Sequence, residues 1–166
     1  MTIHLKTALS WGALLAFLLL PVEGRTAYDY VDITNPFLRK IPIAVPVFKR
    51  LSEGEIVDKL VREASQLLAE KLEFTGYFKM LDEGAFLVDP QKAGIAAPDI
   101  QFRNWTGIGA ELLITGGLQM TDSLIEVELR LYDTFKERLL VGKRYKGYLD
   151  DLRRIIRRFC SDVIFQ

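Results

Sequence analysis

The sequence predicts a mixed α/β domain: one mixed β-sheet with two main helices packed on it. Three observations lead there. Leu124 to Asp133 alternates, with Ile125, Val127, Leu129 and Leu131 inward and Glu126, Glu128 and Arg130 outward, the period of a half-buried strand. Ile56, Leu60, Ala64, Leu67, Leu68 and Leu72 recur at three and four, one apolar helical stripe. Hairpin-linked strands share the chain with a strand–helix–strand passage, which mixes antiparallel and parallel neighbours.

Taken in order, Tyr28 to Thr34 reads as extended, with Val31 and Ile33 on one face and Tyr28 and Tyr30 on the other. Asn35-Pro36 breaks it. Ile41 to Lys49 reads as a strand through Ile43, Val45 and Val47. Pro42 and Pro46 stand four apart, so their missing N–H groups face one edge, and that edge is expected to be broken or partly unpaired. Ser52-Glu53-Gly54-Glu55 matches a capping box and opens the first long helix. Gly76 stands where a left-handed cap would end it. Tyr77 to Leu81 is a short strand and Asp82-Glu83-Gly84 a turn. Asp89 to Asp99 is loop, and Asp99 to Gly107 holds a short helix carrying Trp105. Ala110 to Met120 contains the interior run Leu112-Leu113-Ile114. Arg138 to Tyr148 returns beside Leu124 to Asp133. Leu149 to Phe165 is the closing helix, with Leu149, Leu152, Ile155, Ile156, Phe159 and Val163 as its core stripe and Asp150 set to pair with Arg154.

Residues 1–24 read as a secretory signal. His4 and Lys6 precede the apolar run Ala8 to Leu20, Pro21 breaks it, and Val22-Glu23-Gly24 sets a cut after Gly24. The run is short for a membrane span and no stop-transfer pattern follows, although an N-terminal anchor is the alternative. No Cys follows it, so a lipid anchor is not expected. The mature domain is then 25–166, an exported, cysteine-poor domain that fits a bacterial periplasm.

The 166 residues carry 22 Lys+Arg against 22 Asp+Glu, and this zero balance argues against a domain built to grip nucleic acid. The single His, His4, leaves with the leader. Histidine-dependent nucleophile pairs and zinc sets are thereby excluded, and no cofactor or metal is expected. No phosphate-cradling glycine loop is present, and Gly107-Ile108-Gly109 precedes a strand where a dinucleotide fingerprint would follow one. Glu126 and Glu128 share a strand face and are the carboxylate candidates for hydrolysis, against the plainer reading of a solvated face. Cys160 reads as a buried thiol, and Arg153, Arg154, Arg157 and Arg158 as a solvated helix face. Tyr28–Thr34 is the candidate binding element: Tyr28, Tyr30, Val31, Asp32 and Ile33 form an aromatic, extended segment that can add as a strand to a partner's sheet. Its alternative is a first strand of its own sheet.

Ile41 to Phe48, the run Phe74 to Asp82, Phe102-Arg103-Asn104-Trp105, Gly109 to Gly117, Leu129 to Asp133 and Leu152 to Phe159 together resemble the N-terminal domain of the TolB family, the periplasmic component of the bacterial Tol–Pal system. The resemblance covers nearly all of residues 28–165 in order. It implies an α/β domain similar to the anticodon-binding fold. It also implies a non-enzymatic role in outer-membrane integrity and in envelope constriction at division. By position, Tyr28–Thr34 matches the family's tail, whose partner is the C-terminal domain of TolA. The family's six-bladed propeller, which binds the lipoprotein Pal, would begin where these residues stop, so contact with Pal is not expected of them alone. Arg157 stands where the family commonly has His, and the family commonly has an acidic residue near Ser161. Two other readings stand beside this one: a small secreted hydrolase using Glu126 and Glu128, and a nonfunctional remnant of a longer gene.

Overall fold

The computed structural model describes residues 39–166. The expected segment Tyr28–Thr34 and the leader lie outside the described residues. The order is β1 (Ile41–Ala44), β2 (Lys49–Arg50), α1 (Glu55–Phe74), β3 (Phe78–Met80), α2 (Phe102–Gly107), β4 (Leu112–Thr121), β5 (Leu124–Asp133), β6 (Arg138–Tyr148) and α3 (Leu152–Ile164). One mixed sheet runs β3-β1-β4-β5-β6, with β2 also paired to β4. The β1, β2, β3 and β4 pairings are parallel and the two hairpin pairings antiparallel. The predicted class and the limits of β5 and β6 agree with this.

The break at the prolines is real. Between Ala44 opposite Leu113 and Lys49 opposite Gly117, the β1–β2 side spends one residue more than β4. Pro46 sits in that bulge, where a missing N–H breaks no ladder. Pro42 differs from expectation, because β1 is paired on both sides. It is tolerated because the β4 pairing starts only at Ile43, and its carbonyl still accepts the Glu111 N–H at 2.9 Å. The bulge turns Phe48 into the core at 1% exposure, against Gly116: a Cβ there would lie 2.7 Å from Phe48 Cδ1.

The capping box does not form. Gly54 is the N-cap of α1 with no side-chain cap bond. The Ser52 hydroxyl instead accepts the Met120 N–H at 3.0 Å, tying the helix entrance to β4. The buried stripe of α1 is Val57, Leu60, Val61, Ala64, Ser65, Leu68 and Leu72. Ile56, expected inside, is exposed, because Val57 takes the inward phase of the first turn. Gly76 does end the helix, at φ +78°, with its N–H on Glu73 O.

At the other long helix, α3 buries Leu152, Ile155, Ile156, Phe159, Cys160 and Val163. Leu149 falls in a preceding 3-10 turn and is half-exposed, outside the stripe. Arg154 pairs with Asp151 at 2.9 Å, three residues before it, and not with Asp150. Both long helices cover one face of the sheet and share one core with Ile43, Ile114, Leu118 and the inward residues of β5. On the opposite face Ile100, Phe102, Trp105 and Ala110 cover Ala44, Leu113 and Tyr132. Tyr132 Oη and Thr115 Oγ1 both donate to Ile95 O, at 3.0 and 2.8 Å, which pins this cover loop.

Candidate partner-binding surface

Of the sequence-derived site residues, Tyr28, Tyr30, Val31, Asp32 and Ile33 lie outside the described residues. The described residues begin at Arg39. Arg39 and Lys40 are exposed at the start of β1, and Arg39 is ion-paired to Glu111. The next N–H, that of Ile41, donates to Tyr77 O at 2.9 Å, so this entry point lies beside the C-terminal end of α1. Two aromatic residues stand open at that end: Phe74 at 94% exposure and Tyr77 at 58%. The exposed Phe74 marks apolar surface that the sheet does not cover.

Glu126 and Glu128 form a charge ladder with the next strand. The register sets Glu126 opposite Lys146 and Glu128 opposite Arg144. Lys146 Nζ lies 3.0 Å from Glu126 Oε2, Arg144 Nη2 donates to Glu128 Oε2 at 3.0 Å, and Arg144 Nε reaches Glu126 Oε1 at 3.4 Å. Arg130 is paired to Glu128 from the same strand. The Lys146 ammonium, bonded to it, holds the Glu126 carboxyl below its ordinary range, while a general acid needs the opposite shift. Counting the register back from the hairpin loop was the signal that would have revealed these basic partners.

This ladder gives a pH expectation. Because the folded Glu126 value is depressed, its favourable contribution is complete above the ordinary value of 4.5 and is lost as pH falls through the lower folded value. Lys146→Ala removes the largest cause and is expected to raise the Glu126 titration midpoint, as read by carboxyl NMR. An unchanged midpoint would contradict the pairing.

Other candidates carry less. Cys160 is buried, and desolvation pushes its thiol above the usual range, the condition of an inert cysteine. Arg157 and Arg158 are exposed, while Arg153 meets Glu63 at 3.2 Å. A hollow of about 270 Å³ lies between the Pro46 bulge and Trp105. Two of its polar groups are engaged, Thr115 on Ile95 O and Lys49 on Ala93 O, each at 2.8 Å. Among the described residues no three of His, Cys, Asp and Glu cluster as metal ligands, and no helix is long and apolar enough to cross a membrane.

The family described as the TolB amino-terminal domain matches residues 29–140. This chain belongs to the TolB amino-terminal domain family. The Tol-Pal system protein TolB of Desulfosudis oleivorans is 50% identical over 147 residues, covering 89% of this chain and 34% of that protein. Its namesake in Syntrophotalea carbinolica is 34% identical, over 88% of this chain and 34% of its own length. The crystal structure of TolB from Acinetobacter baumannii superimposes with a TM-score of 0.55 at 22% identity, over 77% of this chain and 28% of that one, a likeness of fold. The chain thus spans about a third of the length of the curated TolB relatives it matches.

Proposed function

We propose that residues 25–166 form a periplasmic protein–protein interaction domain of the Tol–Pal envelope system, exported by residues 1–24. The domain supports outer-membrane integrity and constriction at division. Tyr28, Tyr30, Val31, Asp32 and Ile33 engage the C-terminal domain of TolA as an added strand, main-chain bonds giving affinity and alternate side chains giving choice. The observation that carries this reading is the family match itself, which starts at residue 29 and so includes most of that segment. The exposure of Arg39 and Lys40, the first described residues after that segment, is compatible with it. The ion-paired state of Glu126 and Glu128 tells against the hydrolytic reading.

A pull-down with the TolA C-terminal domain tests this. The mature chain is expected to be retained, and a chain lacking Arg25–Thr34 to lose at least about tenfold in retention, as expected when a few interface residues carry most of the binding energy. Equal retention of the shortened chain would remove the segment's role. No retention of the intact chain would remove the TolA reading.

A further inference from the structure

The two edges of the sheet are unlike. β3 is an edge of three residues, whereas β6 runs for eleven and pairs only with β5 among the described residues. Hydrogen-bond parity shows which backbone groups of β6 remain free. Met120 N–H turns to Ser52 and Leu118 O to Leu51 N–H, so the even residues of β4 face β2 and the odd ones face β5. Through the registers Gln119 with Glu126 and Val127 with Tyr145, the odd residues of β6 from Val141 to Gly147 bond to β5. The even ones, Gly142, Arg144, Lys146 and Tyr148, point outward. The Tyr148 N–H is taken by Asp151 Oδ2 at 2.9 Å, which closes one end of the edge. Among the described residues the N–H and C=O groups of Gly142, Arg144 and Lys146 have no partner, and all three residues are exposed.

The edge also has a sign. β6 carries Arg138, Lys143, Arg144 and Lys146 and no acidic residue. Arg144 and Lys146 are partly neutralised by the ladder, but Arg138 and Lys143 have no ion-pair partner among the described residues. From α3, Arg158 lies close enough to act on Tyr145, whose hydroxyl donates to Asp162 at 3.0 Å. Basic residues on an exposed edge repel a second copy of the same edge and attract an acidic strand.

We propose that the outer edge of β6, from Gly142 to Lys146, is a second docking surface that takes an acidic, extended segment of a partner protein as an added strand. Gly142, Arg144 and Lys146 supply the main-chain bonds, and Arg138 and Lys143 the charge that selects the partner. Its residues are other than Tyr28–Thr34, and its role does not depend on that segment's.

The test uses the mature chain and two labelled short peptides, one alternating Glu with Val and the other Lys with Val. The Glu peptide is expected to bind at least about tenfold tighter by fluorescence anisotropy, with the gap closing at high salt. Its binding is expected to slow amide exchange at Gly142, Arg144 and Lys146, and to leave Lys143 and Tyr145, already bonded to β5, unchanged. Gly142→Pro removes one outward N–H while sparing the β5 ladder, and is expected to weaken binding by about tenfold or more. The doubly substituted Arg138→Glu, Lys143→Glu chain, altered only at exposed positions, is expected to lose the preference for the Glu peptide. Equal affinity for both peptides, exchange unaltered at the three outward amides, or those amides already protected in the free protein would each overturn the proposal. So would a concentration-dependent dimer that protects them.

Discussion

Phe48→Ala is expected to lower the free energy of unfolding by about 3–5 kcal/mol, the usual cost of deleting a fully buried aromatic ring. Phe48 is 1% exposed and belongs to the core beneath both long helices. It lies in the irregular stretch between β1 and β2, so no strand neighbour can slide over to fill the hole. The ring sits against the backbone of Gly116 in the central strand β4, which is too rigid to collapse inward. Chemical denaturation of the two chains reads the difference. A loss below about 1 kcal/mol would mean that the site relaxes, contrary to the packing described.

The complementary change is Gly116→Val. Valine suits a strand in general. Here a Cβ would meet Phe48 Cδ1 at 2.7 Å and Leu129 Cδ2 at 2.8 Å, both on fully buried side chains. The expected cost is about 3 kcal/mol, the upper part of the range for overpacking a filled core. The two sites touch, so their effects are not additive. The double variant Phe48→Ala, Gly116→Val is expected to be more stable than the sum of the single losses by about 1 kcal/mol or more, because the new methyls enter the space the ring vacates. Additive losses would show that the ring and the glycine do not share one volume.

Where the physics is local, the sequence was a good guide. The alternation of β5 located its inward residues, and Gly76 marked a helix end that needs a positive φ. Pro46 announced the break in the first strand. Misreadings arose where a distant partner competed. Ser52 could have capped its own helix, but the Met120 amide on β4 claims its hydroxyl, and no local window contains that residue. Ile56 fits the helical period as well as Val57, and only the position of the sheet decides that Val57 is inside. Glu126 and Glu128 looked like a possible carboxylate pair because their cross-strand partners, Lys146 and Arg144, lie a hairpin away. The open edge of β6 needed the registers of three strands together. The segment that carries the functional reading, Tyr28 to Thr34, lies outside the described residues, and its role rests on the family.

Docking through that segment is the central claim, and amide exchange on the complex with the TolA C-terminal domain tests it most directly. The account predicts that the amides of residues 28–34 exchange freely in the unbound mature chain. On binding, amide exchange in this segment slows by at least about a hundredfold, as ladder bonds form with the partner. A complex in which those amides exchange as fast as before, while protection appears elsewhere on the domain, would contradict it.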